Sequence, residues 1–448
     1  MSSPSSTADR SAWIGLLGGS ALIGLAAVVP WLVGWEVHAR SSEASRSGVA
    51  PPLHGFLEPR VTMGTLAATA FAVLVVVTVR TDRLARLSWG RLLTLSYVAG
   101  LAWLLLLGLT DGSAGISRVL GSPHEYLETA RSVGSIGDLL SGFVALIPRD
   151  APDHWVTHVA GHPPGALLFF VALVRMGLGG DLSAGLVVTA LAATTPVAVL
   201  TTLRTLGAEA TGRRAATLLT FSPGAVFMAV SADAVFTAVT AWGATALAVA
   251  ATRSSRTATW GWGLIAGLLL GLGVFLSYGL VLFGLLALGV LLAARSARAL
   301  LPALIGAWVI VGLFAWGGFV WWQAFPVLRE RYWDGIAADR PGSYWMWANF
   351  AAFLVAGGPW VAAAIGRWLS APCRIGKPAA LLVGAAITTL VLADLSQMSR
   401  AEVERIWLPF LPWVTVSTAA LNNRWRLIGL AGQLLWAIAV ETLFYTTW

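Results

Sequence analysis

The sequence predicts an all-α, polytopic membrane protein, and three observations predict it. Of its 448 residues, 57% are hydrophobic and only 11% charged, whereas soluble domains carry about 25% charge. Apolar runs of bilayer length, roughly 17 to 25 residues, recur along the whole chain, and its mean hydropathy is +0.77. Arginines gather in short connectors between those runs. In a soluble protein, a net charge of +8 and a pI near 10.5 would suggest nucleic acid. Here the same charge is the positive-inside pattern, with help from anionic membrane lipids, and no nucleic-acid partner is expected. Cys373 is the only cysteine, so no intrachain disulfide forms.

The N-terminal MSSPSSTADRSAW lacks the basic start and small-residue cleavage site of a secretory signal, so the first apolar run is read as a retained helix. The runs fall at 13–34, 62–79, 92–110, 164–180, 182–203, 215–231, 234–251, 259–276, 279–294, 300–322, 348–366, 378–394, 406–421 and 427–446. They give about 13 to 14 transmembrane or re-entrant helices. The connectors with Arg80, Arg83, Arg86 and Arg91, with Arg253 and Arg256, with Arg295 and Arg298, with Arg367, Arg374 and Lys377, and with Arg424 and Arg426 should be cytoplasmic. Outer loops then fall at 35–61, 111–163, 323–347 and 395–405. All six histidines (His38, His54, His124, His154, His158 and His162) lie in the first two. If both 164–180 and 182–203 crossed fully, Arg204, Arg213 and Arg214 would face outward. One segment in that stretch is therefore expected to be short, broken or re-entrant, which a membrane tolerates where protein covers the freed backbone. No internal repeat and no separate soluble domain is evident.

The 111–163 loop concentrates Asp111, Glu125, Glu128, Asp138, Asp150 and Asp153 beside four histidines, in a chain otherwise poor in acids. Within it, YLETARSVGSIGDLLSGFVAL has helical spacing, with Leu127, Val133, Leu139 and Leu140 among its apolar positions. It is expected to lie along the interface with its polar side toward a cavity. Glu125 is read either as a general base or as a solvated charge or helix-capping acid. Asp111 has the same two readings, because an acid before Gly112 and Ser113 also serves to end a span. His154, His158 and His162 recur every fourth residue, which on one helix would share a face and suit a metal. Pro163 and Pro164 argue against a continuous helix there. Polar substrate contact and plain interfacial placement are the other readings, and no metal site is assigned.

GHPPGALLFFVALVRMGLGG (161–180) resembles the His/Lys-Pro-Pro element that follows the first large outer loop of membrane glycosyltransferases with the C-type (GT-C) fold. The protein O-mannosyltransferase and aminoarabinose transferase group is the nearest branch. Their loop carries an Asp-Glu pair followed by a Tyr-x-Glu-x-Ala-Arg-like run. PHEYLETARSV is similar, with Glu125 as the second acid and Tyr126, Glu128, Ala130 and Arg131 as the run, but His124 replaces the first acid and two residues are missing. The first acid is the one usually proposed as base in that family, so the role here falls to Glu125 or to Asp111. SPGAVFMAVSADAVFTAV is similar to the family's Asp element through Asp233. GLLLGLGVFLSYGL resembles its glycine-rich helix, with Ser277 and Tyr278 in place of Thr-Lys. SRAEVERIWLPFLPW resembles its late outer segment. The resemblance runs in order from about residue 92 to 421 and makes 92–448 the catalytic domain, with large outer loops 111–163, 323–347 and 395–405. Residues 1–91 form an extra transmembrane pair whose loop, with Glu36, His38, Glu58 and Arg60, is the alternative place for catalysis.

The resemblance implies a polyprenyl-phosphate sugar donor, no other cofactor, and transfer with inversion on the extracytoplasmic face of the plasma membrane. Overall likeness points to the actinobacterial envelope branch, and within it to the methylthioxylose transferases that decorate mannose-capped lipoarabinomannan, a lipoglycan acceptor. Arg400 or Arg405 would meet the leaving phosphate, with Arg329 and Arg331 behind them. Against this stands pairing of Arg400 and Arg405 with Glu402 and Glu404. His124, Tyr126, Glu128, His158, His162, Asp233, Tyr278, Tyr344 and Glu404 are the further pocket candidates. The aromatics Tyr332, Trp333, Tyr344 and Trp345 are read as sugar-stacking residues or as an interfacial belt. A monophosphate leaving group can be met by arginine, so no metal is expected. The rival class is a transporter or a flippase of lipid-linked glycans, which needs ionisable groups near mid-membrane. Arg175 and Glu441 are the only candidates for that position, and a non-catalytic scaffold is the third reading.

Overall fold

Hydropathy of this magnitude leaves helices as the economical way to pair backbone groups, and a computed structural model, which describes residues 4–39, 48–79 and 86–446, is nearly all α. Arg80 and Arg83 of the first basic connector lie outside the described residues. Among the described residues, seven helices are long and apolar enough to cross a membrane: Asp9–Val33, Trp89–Asp111, Asp181–Thr205, Ala232–Thr252, Arg256–Leu276, Lys377–Leu395 and Asn423–Leu443. The number rises to nine if two bent pairs each count as one span, Leu300–Trp316 with Trp321–Trp333 at 73° and Gly342–Gly357 with Pro359–Ser370 at 108°. The chain is thus a multi-pass membrane protein with fewer long spans than its apolar runs suggest. The runs at 215–231 and 406–421 are broken into short helices, around Pro223 in the first and Pro409 in the second, because proline removes a donor and clashes with the preceding turn.

The connectors sort to two ends. At one, Arg213 donates to Leu87 O at 2.9 Å, Thr211 to Ile375 O at 2.7 Å, and Asn422 and Trp425 both donate to Asp9. This arginine end therefore gathers segments around residues 9, 87, 204–214, 375 and 422–426. At the other end lie the described parts of the four large loops and the last described residues. There Gly55–Leu57 pairs antiparallel with Phe444–Thr446. The N-terminal region is fully integrated: the Pro4–Val33 helix packs along Gly342–Ser370, with the backbone of Gly15 against Ala362.

The doubtful stretch after the second loop resolves at Pro164–Arg175. At 12 residues it is about 18 Å long, too short for a hydrocarbon core of about 30 Å. It starts beside His162, and at its far end Arg175 donates to Gly134 O at 3.3 Å. Just beyond, Arg131 bonds Gly179 O and Asp181, so this helix begins and ends against the same loop. The Asp181–Thr205 span then leads to the arginine end, which puts Arg204, Arg213 and Arg214 with the other basic connectors. Arg175 and Glu441 are accordingly not mid-span groups. Glu441 sits in the last turn of its helix, accepting from Thr110 at 2.7 Å. The 323–347 segment is also mostly helix rather than loop, because Arg331 clamps Trp321–Trp333 to the carbonyls of Ile147 and Trp155.

Bending a helix frees carbonyls that lipid cannot satisfy. At the Gly357–Gly358 bend, Gln433 donates to Gly357 O at 2.8 Å and Trp436 to Val355 O at 2.9 Å. Gly358 is at φ +81°, where a Cβ would also meet Pro223 at 2.8 Å. Gln433→Leu should lower the unfolding free energy by about 1–3 kcal/mol, the cost of an unsatisfied buried carbonyl. Thermal unfolding of the purified chain in detergent checks this, with Trp436→Phe expected to act in the same direction.

Candidate functional site

The helical stretch expected at 126–146 forms as two short helices, Tyr126–Ser132 and Ile136–Gly142, with Leu127, Leu139 and Leu140 buried. Glu125 occupies the N-cap position of the first, yet its side chain makes no capping bond. It turns instead toward His158, whose Nε2 lies 3.6 Å from Oε1, while Oε2 is buried without a hydrogen-bond partner. The histidine is set by the backbone: His158 N–H donates to His124 O at 3.2 Å. The short Thr157–Gly161 helix ends at His162, where Pro163 forbids continuation. His162 Nδ1 stays 2.9 Å from His158 O.

Tyr126 closes the inner side. Its ring stacks on Phe170 at 5.2 Å and meets His162 edge-on at 5.8 Å. Its buried hydroxyl has no partner. His162 is 5.6 Å from Phe236, which brings in the first turn of Ala232–Thr252, where Asp233 stands. Asp233 accepts from Arg405 Nη1 at 2.5 Å, with both side chains almost fully buried. Arg405 Nη2 also lies 3.5 Å from Glu402. Burial pushes the Glu125 carboxyl up to about 7 against the opposing field of Arg405. Burial also pushes the His158 and His162 imidazoles below their usual range. Near pH 7 Glu125 is thus a carboxylate that readily takes up and releases a proton, beside neutral imidazoles and a fixed guanidinium.

The network continues through Glu402 and Glu404 into Arg340 and His54, which the sequence did not single out. Glu402 accepts from Arg340 Nη2 at 3.0 Å and lies 3.8 Å from His54 Nδ1. Arg340 also reaches the carbonyls of Arg400 at 2.6 Å and His38 at 3.2 Å. His54 N–H donates to Glu404 Oε1 at 2.9 Å. Burial lowers His54 to about 4, which keeps its Nδ1 free to accept from Arg340, and raises Glu404 to about 7. Burial drives the Glu402 carboxyl up as well, but His54, Arg340 and Arg405 outweigh it and hold it below its ordinary value. Gln397, Ala401 and Glu402 all have φ between +56° and +71°. Left-handed backbone at three non-glycine residues is costly and persists only where surrounding contacts enforce it.

Of the residues expected from sequence, Glu125, Tyr126, His158, His162, Asp233, Glu404 and Arg405 come together. Asp111 does not join them: it is held by Arg60 at 2.8 Å and Arg118 at 3.5 Å in a second cluster with Glu441. Its carboxylate is thereby committed to two guanidiniums. His124 contributes its carbonyl while its ring is exposed, and Glu128 is exposed on the outer face of its helix. Tyr278 packs against Trp321 and Phe325, away from the carboxylates. Tyr344 donates to Ala26 O at 2.7 Å and ties the first helix to Gly342–Gly357, and Trp345 is equally buried. Neither is available for stacking on a sugar. Arg400 lies over Trp333 at 4.6 Å and supports the loop through Gln397 and Arg340 O, with Tyr332 accepting its N–H. Glu36 and His38, from the alternative loop, meet only each other through their side chains at 3.9 Å among the described contacts. His154 is exposed and bonds Trp155 O. Among the described residues, no group of three or more His, Cys, Asp and Glu is arranged to hold a metal.

Comparison of the chain with protein-family models, with the sequences of curated proteins and with solved structures finds no match.

Proposed function

We propose that the chain is an integral membrane glycosyltransferase of the GT-C type, moving a sugar from a polyprenyl-phosphate donor to an envelope lipoglycan on the extracytoplasmic face of the plasma membrane. The observation that carries this reading is Glu125: a buried carboxylate with one unpartnered oxygen and a pKa near 7, in the electrostatic reach of Arg405. It stands at the end of the molecule opposite the basic connectors, which positive-inside topology assigns to the cytoplasm. In this reading Glu125 takes the proton of the acceptor hydroxyl as that oxygen attacks the anomeric carbon. The bond from that carbon to the phosphate oxygen breaks with inversion, and the phosphate leaves with the electron pair. Arg405, its fork fixed by Asp233 and Glu402, offsets the charge that builds on the phosphate. Methylthioxylose as the sugar and mannose-capped lipoarabinomannan as the acceptor rest on overall likeness to that transferase family. The transporter alternative loses support because Arg175 and Glu441 both lie at the loop end.

The test is glycan analysis of envelope lipoglycans from cells lacking this chain, complemented with wild type or Glu125→Gln, with membrane expression checked. Loss of one sugar that wild type restores and Glu125→Gln does not supports the reading. An unchanged profile in the deletion rejects it.

A pH profile gives a second check. A base must be ionised, so transfer in purified membranes should rise with pH to a plateau, with a midpoint near 7 set by Glu125. Stability should move the other way. The folded state holds the Glu125 proton more tightly than the unfolded chain, so its contribution falls as pH climbs from the ordinary carboxyl range through about 7. Opposite slopes for activity and unfolding midpoint are expected, and Glu125→Gln should flatten the part of the stability slope that Glu125 supplies.

A further inference from the structure

At the arginine end, two connectors far apart in sequence form one open bowl. Thr252, Arg253 and Ser254 follow the Ala232–Thr252 helix, and Arg295, Ser296 and Arg298 lie between Gly284–Ala294 and Leu300–Trp316. Together they line a cavity of about 640 Å³, within the size range of small-molecule sites. Its charge is uncompensated. No acidic residue occurs anywhere between Asp233 and Glu330. Arg204 and Arg213 at the same end share Glu209, whereas Arg253, Arg295 and Arg298 enter no ion pair among the described residues. Arg295 is moreover held at φ +52°, a left-handed conformation that costs free energy at a non-glycine residue. Exposed leucines flank one of the two connectors in the chain: Leu292, one turn before Arg295, and Leu300 and Leu301, just after Arg298, are 53%, 44% and 58% exposed.

We infer that this bowl is a binding site for the headgroup of an anionic lipid bearing two phosphates, in the leaflet at the arginine end of the molecule. Each guanidinium forms two parallel charged hydrogen bonds to one phosphate, so three of them exceed the needs of a single phosphate and match two. The exposed leucines beside this connector offer a surface along which acyl chains can lie, which a soluble diphosphate would not need. Basic pockets between helices on the cytoplasmic side are a general means of holding such headgroups. The inference is independent of the reaction proposed above, because Asp233 and Arg253 sit at opposite ends of one 21-residue helix, about 30 Å apart.

The full chain, reconstituted in phosphatidylcholine nanodiscs, is titrated with cardiolipin, with phosphatidylglycerol at equal charge, and with inorganic pyrophosphate, reading bound lipid by native mass spectrometry. Cardiolipin should bind at least tenfold more tightly than phosphatidylglycerol, and millimolar pyrophosphate should not displace it. The triple variant Arg253→Gln/Arg295→Gln/Arg298→Gln should lose at least tenfold of that affinity. Arg374→Gln/Lys377→Gln, on another basic connector, should retain it. Equal affinity for the two lipids, displacement by pyrophosphate, or equal loss in both variants overturns the inference. The first two comparisons need only wild-type protein, so a folding defect in the triple variant leaves the test decisive. Failure here would not touch the glycan assay, and failure there would not touch this one.

Discussion

Glu125→Gln should lower sugar transfer by about a hundred- to ten-thousand-fold, the range a positioned general base contributes, while leaving the chain folded. The amide matches the carboxyl in size and keeps an oxygen where Oε1 faces His158. It also resembles the protonated acid, which burial already makes a populated form near neutral pH. The stability cost should therefore be small, and unfolding in detergent should show a midpoint close to wild type. Glu125→Ala would lose activity too, but it also opens a cavity under Tyr126 and separates the two effects less cleanly. Measured on purified membranes with a polyprenyl-phosphate sugar, full activity in Glu125→Gln would leave Glu125 as a structural acid only and remove the base from the proposed mechanism.

Arg405→Met should be the most destabilising single change at the site, by about 3–5 kcal/mol, the usual cost of leaving a buried charge without its partner. Asp233 is only 2% exposed, and Glu402 would keep Arg340 alone as its cationic partner. Removing both ends of the closer pair, Arg405→Met with Asp233→Leu, should recover a good part of that loss, because the stranded charge is gone. A double-mutant cycle on unfolding midpoints measures the coupling. Transfer activity gives a different pattern: the double variant should regain abundance without regaining turnover, since nothing then faces the phosphate. Additive losses in the cycle would mean that the two side chains do not act as a pair.

The parts of the fold written in local pattern were legible in the sequence. Helical class and the sorting of the described basic connectors to one end follow from composition and periodicity, and the acids and histidines of the 111–163 loop that come together, Glu125, His158 and His162, stood out by their density. Asp233 and Arg405 were legible as separate residues through the resemblance. Their pairing was not, because no local pattern encodes a contact between residues 172 positions apart. Arg340 and His54 were overlooked for the same reason. The one available signal was that each is a polar residue next to a tightly turned segment, Arg340 before Pro341-Gly342 and His54 after Pro51-Pro52. A short, broken or re-entrant segment was legible in 164–214 from its arginines, and Pro164–Arg175 is that segment; which one it would be was not legible, because hydropathy counts apolar residues across a turn. The reversal at Met176–Gly180 depends on Gly177 at φ +78° and on Arg131 gripping Gly179 O. Asp111 misled because its place at a helix end looks alike whether its partner is substrate or Arg60.

The bond between His54 and Glu404 spans 350 positions, and the Gly55–Leu57 strand waits for a partner among the last described residues. A ribosome adding about 5–20 residues per second needs roughly 20 to 70 s to make the chain between His54 and Glu404. Through that interval His54 and the Gly55–Leu57 segment have no partner for these bonds within the chain already made. The part of this face that closes through the Phe444–Thr446 strand can form only after the last helix is made. A nascent chain arrested before that helix would already hold Glu125, His158, Asp233 and Arg405, yet its Gly55–Leu57 segment would lack its strand partner.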